Sequence, residues 1–295
     1  MKKITLIVNP VAGKMKVKQT MFEIVQRFCY AGYSVSVQIT KERGDAMKIA
    51  ESLTRDTCDT VVCAGGDGTL NEVICGIIRS GSGLDIGYIP CGSTNDFAHS
   101  MKLPTSATLA CEQIIEGKPT PIDVGLFDGK RSFSYISSFG AFTEASYNTP
   151  QNLKNAFGHF AYVIEGFKSL GNIKPYKLSV TANGKTFSGE YVFGAVANST
   201  SIAGVLKLPE SSVDISDGLF EVILAKNPQD ASELNELVGA VVTANLKSRM
   251  LTSFKASKIE LRSEKPLTWT LDGEREDGGC TAVIENLHNK INLIM

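Results

Sequence analysis

A single carboxylate, Asp67, stands among Gly65, Gly66 and Gly68 between two apolar runs in VVCAGGDGTLNEVICG, residues 61–76. Two kinds of chemistry would call for that arrangement. One is a tight turn, because glycine is the default residue where the backbone must take positive φ. The other is a loop whose bare amides approach a phosphate, because a helix start offers N–H groups that no earlier turn can use. A turn alone would accept asparagine or serine in place of the aspartate, and three glycines would add backbone entropy to no purpose. Thr69 and Glu72 have the spacing of a capping box, which predicts a helix opening at Leu70 directly behind the loop. The stretch therefore reads as a phosphate loop, with Thr69 and Glu72 as caps.

Two better-known phosphate loops are absent. Gly13-Lys14 comes nearest to a Walker A sequence, but Val8 stands where that pattern needs its first glycine and Met15 where it needs Ser or Thr. The GxGxxG spacing of a dinucleotide site is not met either. GGDGT presents a nucleotide phosphate in some other way.

The elements around this loop follow from hydrophobic period. Residues 4–8 form a continuous apolar run, followed by Val17, Met21, Ile24, Val25 and Phe28 at helical spacing. Val35, Val37 and Ile39 alternate as a strand, and Ala46, Ile49, Ala50 and Leu53 mark a helix face. Residues 60–64 and 86–89 are further strands; Leu70, Val73, Ile74 and Ile77, and then residues 109–115, are further helices. This alternation predicts an α/β domain with a parallel sheet and helices on both faces. In such sheets ligands sit beyond the carboxyl ends of the strands, where the loops at 9–14, 40–45, 65–69 and 90–97 gather.

After about residue 125 the pattern changes. Leu153, Phe157, Phe160, Ile164 and Phe167 form an amphipathic stripe, read as core. Most of the remainder reads as strands, at 176–182, 186–197, 219–225, 259–262, 267–271 and 281–286, with a helix near 232–244. Asn183-Gly184 is a two-residue hairpin signal. The division expected is an α/β ATP-binding domain at 1–125 and a β-rich sandwich at 126–286, with a strand near 287–295 returning to the first.

Composition narrows the function classes. A net charge of −1 gives no basic footprint, which argues against nucleic acid. Seven scattered cysteines with no CxxC pair argue against a disulfide framework or zinc site, and fit reduced thiols in a cytoplasmic protein. The opening MKKITLIVNP reads as a buried first strand rather than a signal peptide, because its apolar run is short and no cleavage site follows. No run approaches the ~18 apolar residues of a membrane span. His159, His288, Trp269 and Asn198 draw no functional assignment; Trp269 reads as core.

GGDGTLNEV, with NPVAGK before it, ITKERGDA between and GSTNDFAHSMKLP after it, resembles the diacylglycerol kinase catalytic family, specifically its bacterial soluble lipid kinases. The resemblance runs from Asn9 through Glu274. GGDG alone would be weak, since NAD kinases and phosphofructokinases look similar there; the paired GSTNDFA loop makes it specific. It implies an α/β nucleotide domain followed by a β-sandwich, with Mg-ATP in the cleft between them. Carried over by position, Asn9, Pro10, Gly13, Thr40, Gly65, Gly66, Asp67, Gly68, Thr69, Leu70, Asn71 and Thr94 would contact the nucleotide. Ser93 and His99 stand where relatives often carry threonine and arginine.

The same resemblance extends to two acidic motifs. VDISDGLF, residues 213–220, is similar to the family's structural magnesium site, which would use the Asp217 carboxylate, Asp214 and the carbonyl of Leu219. A plain Asp-Gly turn fits the same residues. LDGE, residues 271–274, is similar to the catalytic motif and makes Glu274 the candidate base. A primary alcohol is a poor nucleophile, so a carboxylate should take its proton as phosphoryl transfer proceeds. Asp67 would orient that base or help to hold catalytic magnesium; which of the two carboxylates takes the proton is left open by spacing.

The function expected is ATP- and magnesium-dependent phosphorylation of a hydroxyl on a membrane lipid such as diacylglycerol. The chain would then be cytoplasmic with transient peripheral membrane contact. Exposed strand edges leave room for a homodimer. The alternatives are an NAD kinase-like enzyme acting on a soluble alcohol, and a catalytically silent nucleotide- or lipid-binding module.

Overall fold

Lys3–Val8 (β1) is buried at every position but its first, and Thr60–Gly65 (β3) at every position. Strands apolar on both faces need helices on both sides, and that requirement builds the first half of the protein. The computed structural model describes residues 1–140, 175–202 and 206–295. The chain divides into two compact units, Met1–Val124 with His288–Met295, and Gly125–Leu287.

In the first unit, β1 is followed by α1 (Lys16–Tyr30), β2 (Ser34–Ile39), α2 (Asp45–Ser52), β3, α3 (Asp67–Ser80) and β4 (Asp85–Pro90). The short α4 (Asp96–Ser100) and α5 (Ala107–Glu116) lead into β5 (Pro119–Phe127). The strands run parallel in the order β2-β1-β3-β4. Asn292 and Leu293, near the end of the last strand, pair in parallel with Asp85 and Ile86 on the far side of β4. The order reverses direction between β1 and β3, which makes their carboxyl ends the switch point where ligands bind in such sheets.

The α1 stripe forms as the period requires. Val17, Ile24 and Phe28 are at most 1% exposed and meet Ile4, Leu6, Val8, Ala64 and Ile114 in one core; Met21 and Val25 pack on its margin. A side chain such as Phe28 contributes about 3–5 kcal/mol against truncation to alanine at a site of this kind. The edge strand β2 differs from β1: only Val35 among its residues is even half-buried.

Among the described residues, the strands of the second unit pair with one another in antiparallel fashion. It holds β6 (Arg131–Phe133), β7 (Ile136–Gly140), β8 (Tyr176–Ala182), β9 (Lys185–Ala197), the short β10 (Ser201–Ile202) and β11 (Leu206–Lys207), and β12 (Phe220–Lys226). After α6 (Ala231–Val242) come β13 (Leu251–Ala256), β14 (Lys258–Ser263), β15 (Thr268–Leu271), β16 (Glu274–Asp277) and β17 (Thr281–Ile294), whose residues from His288 onward belong to the first unit. The long β9 pairs with β8, β7 and β12 along its length. Asn183 and Gly184, at φ 52° and 71°, make the two-residue turn between β8 and β9.

Trp269 anchors the core of this unit, 1% exposed, with Phe139 and Phe127 edge-on at 5.0 and 5.2 Å between ring centroids. Among the described strands, hydrophobic period does not mark β5, β6, β7, β10, β11, β13 or β16. β13 reads LTSFKA with broken alternation, and β16 reads ERED with no apolar residue at all, so neither carries a hydrophobic signal. The expected helix at 153–167, and His159 with it, lies outside the described residues.

Candidate functional site

The helix behind the glycine loop begins earlier than the capping-box spacing implies. Gly66 is the N-cap, Asp67 the first helical residue, and the Leu70 N–H already donates to the Gly66 carbonyl at 3.0 Å. Thr69 and Glu72 are therefore inside the helix and do not cap it. Thr69 Oγ1 instead accepts the Asn9 side-chain amide at 3.0 Å, and a Glu72 carboxylate oxygen accepts the Gly44 N–H at 2.8 Å. Leu70 is fully buried, so this residue anchors the helix with its side chain in the core and its N–H bonded.

Asp67 makes the third of these ties. Its Oδ2 accepts the Asp96 N–H at 2.9 Å and its Oδ1 the Phe97 N–H at 3.1 Å. Both donors open α4, so the carboxylate serves as the N-terminal cap of a second helix. This contact explains why GGDGT and GSTNDFA occur together: the aspartate of one loop folds the other.

The glycines serve close approach rather than positive φ. Gly65 and Gly66 are absent from the left-handed region, and Gly66 is extended at φ −91° and ψ −176°. A Cβ on Gly66 would lie 3.3 Å from the Gly92 Cα, so two bare backbones pass each other here. Gly13 combines both demands, with φ +51° and a Cβ position only 2.0 Å from the Cys91 carbonyl oxygen. Gly68 lies in the first turn of α3.

The remaining loop residues complete the rim. Asn9 turns its Oδ1 onto the Val11 N–H at 3.1 Å, closing an Asx turn that includes Pro10. Thr40 is 8% exposed; its N–H and hydroxyl both donate to the Val8 carbonyl, at 2.9 and 3.3 Å. Asn95, left-handed at φ 51°, accepts the Gly92 N–H at 2.8 Å and pins the short loop on which Ser93 and Thr94 stand exposed. Asn71 is half-buried one turn into α3. Four loops are thus drawn to the start of one 14-residue helix, whose N-terminal amides and dipole favour an anion. Burial first, then the neighbouring Cys91 and Asp67, pushes the Cys63 thiol well up, so the strand behind the loop carries no thiolate.

In the second unit, LDGE is a hairpin. Leu271 pairs with Glu274, and Asp272 and Gly273 form the two-residue turn at φ 49° and 84°. Asp272 is buried and accepts three backbone N–H groups, from Ser134, from Tyr135 at 3.0 Å and from Ile136 at 3.1 Å. Glu274 opens β16 and pairs with the Arg131 guanidinium, whose other arm holds Glu276. Neither Arg131 nor the role of Asp272 was signalled in sequence: DGKRSF has no motif character, and its partners lie more than 130 residues away.

The segment 213–220 tests the metal expectation. Asp217 Oδ1 accepts the Leu219 N–H at 2.9 Å, and Oδ2 lies 3.1 Å from Lys255 Nζ. Asp214 Oδ1 accepts the N–H and hydroxyl of Ser216, which together hold its carboxyl below the usual range. Lys255 also reaches the buried Glu221 at 3.0 Å. Burial opposes the Lys255 charge, but the bonds to Glu221 and Asp217 outweigh it and raise its proton affinity. Among the described residues no three His, Cys, Asp or Glu side chains converge as a metal cage. Asp214, Asp217 and Leu219 thus lie in one turn, with the Lys255 ammonium beside Asp217; two carboxylates and a carbonyl are a donor set that magnesium, which keeps several waters, can use. His288, given no partner in the sequence reading, stands 3.5 Å from the buried Asp123.

Comparison with known proteins gives a consistent result. Residues 3–127 match the family described as "Diacylglycerol kinase catalytic domain", and residues 138–295 that described as "YegS C-terminal NAD kinase beta sandwich-like domain". A protein of Bacillus subtilis (strain 168) named diacylglycerol kinase is 31% identical over 297 residues, covering 100% of this chain and 97% of its own. One of Staphylococcus aureus (strain MRSA252) with the same name is 34% identical over 298 residues, covering 99% and 92%. A solved structure of a putative diacylglycerol kinase from Bacillus anthracis str. Sterne superposes with a TM-score of 0.81 at 22% identity, covering 99% and 97%. A crystal structure described in the same terms, from the same strain, gives 0.79 at 23%, covering 99% and 95%.

Proposed function

This chain belongs to the diacylglycerol kinase family, and from that premise we propose that it transfers the γ-phosphoryl group of ATP to a hydroxyl of a membrane lipid such as diacylglycerol. The observation that carries the reading is the gathering of four loops on the first turn of α3 by Asn9–Thr69, Gly44–Glu72, Gly13–Cys91 and Asp67–Asp96/Phe97. Phosphoryl transfer depends chiefly on positioning and charge stabilisation, and fixed backbone amides supply both.

Each residue has a task on this reading. The α3 amides and the Ser93-Thr94 loop hold the phosphates, Asn9 and Thr69 fix the loop, and Asp67 shapes the loop that follows β4. Glu274 accepts the proton of the acceptor hydroxyl as that oxygen bonds to phosphorus and the bond to the ADP oxygen breaks. Magnesium accompanies the nucleotide and neutralises phosphate charge when bound.

A lipid acceptor also requires the protein to reach a bilayer surface. Among the described residues no helix is long and apolar enough to cross a membrane. Peripheral, transient contact is the mode we propose.

The test is transfer of labelled γ-phosphate from Mg-ATP to a lipid panel in mixed micelles, with NAD as the soluble control. We expect labelled lipid, diacylglycerol first, that is lost in Glu274→Gln. Label on NAD alone would assign a soluble acceptor instead. ATP binding with no label on any acceptor would make the chain a binding module.

A further inference from the structure

We propose that Arg131 is a positioning residue for the phosphoryl transfer, acting through Glu274, with Glu276 as the second anion that keeps the guanidinium in place while Glu274 takes the proton. The proposal rests on the reading of Glu274 as the proton acceptor.

Alternation along β16 puts Glu274 and Glu276 on one face of the strand, about 7 Å apart along the chain. Two carboxylates so placed repel each other, and a nucleotide polyphosphate would add to that repulsion. Arg131 meets both, one terminal nitrogen on each, in the forked geometry that suits guanidinium and that an ammonium cannot reproduce. The three side chains are 28–38% exposed, so solvent weakens the attraction, and geometry is the larger part of what the fork supplies.

The fork is mounted on a rigid support. Arg131 begins β6, whose other two residues, Ser132 and Phe133, are buried. The next three residues donate their N–H groups to Asp272, two positions before Glu274. Arginine and glutamate are thus fixed by the same clamp at both ends of their contact.

Charge balance gives Glu276 its part. Before transfer the trio carries two negative charges and one positive. As the alcohol O–H breaks, its proton goes to Glu274 and its oxygen bonds to phosphorus, leaving one charge of each sign. Arg131 then still has Glu276 as partner and does not follow the reacting group, so Glu274 returns to the same position for the next turnover.

The experiment measures kcat, the KM for ATP and thermal melting for Arg131→Met, Arg131→Lys, Glu276→Gln and Glu274→Gln, and for Arg131→Met combined with Glu274→Gln. We expect Arg131→Met to lower kcat about 100-fold, the scale of a misplaced catalytic group, with the KM for ATP within about twofold. Arg131→Lys should recover part of the loss, and Glu276→Gln should fall between wild type and Arg131→Met. In the Glu274→Gln background, Arg131→Met should add less than about twofold, because the residue through which it acts is already gone. A full-sized further loss in that background, or an unchanged kcat in Arg131→Met, would overturn the proposal. Should Arg131→Met fail to fold, Arg131→Lys alone and combined with Glu274→Gln makes the same comparison. Full activity in Glu274→Gln would instead remove the proton-acceptor reading, a separate outcome.

Discussion

The carboxylate of Asp67 accepts the backbone N–H of Asp96 at 2.9 Å, across 29 residues of sequence. With the neighbouring bond to Phe97, this makes the aspartate of GGDGT the cap of α4. Asp67→Asn offers one acceptor oxygen where two N–H groups need service. We expect faster hydrogen exchange at the Asp96 and Phe97 amides and weaker ATP binding, with the fold retained. Unchanged exchange alongside lost activity would assign Asp67 to the chemistry alone.

Gly13 and Gly32 separate backbone strain from collision. Both have positive φ, but a Cβ on Gly32 meets nothing within 4 Å, whereas one on Gly13 falls 2.0 Å from the Cys91 carbonyl oxygen. Gly32→Ala should cost about 1–2 kcal/mol, the penalty for a left-handed residue. Gly13→Ala should cost at least about 2 kcal/mol more, since backbone must move to admit it. Denaturant unfolding of the two variants checks the order, and equal losses would refute it.

Asp272→Asn tests the clamp at the LDGE hairpin. Asparagine tolerates the left-handed turn, so the change addresses hydrogen bonding and charge rather than backbone. Three buried N–H groups lose an ionised acceptor, and we expect a loss of about 2–4 kcal/mol in unfolding free energy. A melting temperature equal to wild type would show that the clamp contributes nothing.

The turn at 213–220 makes a prediction about metal removal. With no nucleotide present, EDTA should leave the melting temperature unchanged within about 1 °C, because Lys255 supplies the positive charge beside Asp217 and Glu221. Lys255→Met should lower it, since Glu221 is buried and would lose its counter-ion. Marked destabilisation by EDTA, reversed by magnesium, would establish a resident metal at this turn instead.

Asp45 gives a pH dependence. The backbone N–H groups of Lys41 and Glu42, donating to its carboxylate, hold its proton affinity below the usual 3.8. A lowered folded-state value means the ionised form favours folding. Its contribution is present above the unfolded value of about 3.8 and is lost as pH falls through the lowered one. The difference in melting temperature between wild type and Asp45→Ala should therefore shrink from pH 6 to pH 3. A constant offset would show that the charge is not involved.

How much of this was legible beforehand depended on the range of the interaction. The helix stripe of Val17, Ile24 and Phe28, the Asn183-Gly184 hairpin and the parallel strands follow from period and turn chemistry, which act within a few residues. β16 was invisible because ERED buries nothing; its pairing with β15 and the Asp272-Gly273 turn define it. The capping-box spacing of Thr69 and Glu72 misled for the converse reason: both side chains are drawn away by long-range partners, Asn9 and Gly44.

The sequence by itself determined that a glycine-rich stretch at 65–69 leads from a parallel strand into a helix; the structure narrows the junction to Gly66. The chain's resemblance to a kinase family pointed to the same loop. Only the tertiary structure decided what each carboxylate holds: Asp67 two amides of the next loop, Asp217 a lysine, Asp272 three amides and Glu274 an arginine 143 residues away. The physical reason is that hydrophobic period and turn propensity are properties of neighbours along the chain. A carboxylate's partner is set by whichever donors the fold brings within about 3 Å, and sequence spacing does not encode that distance.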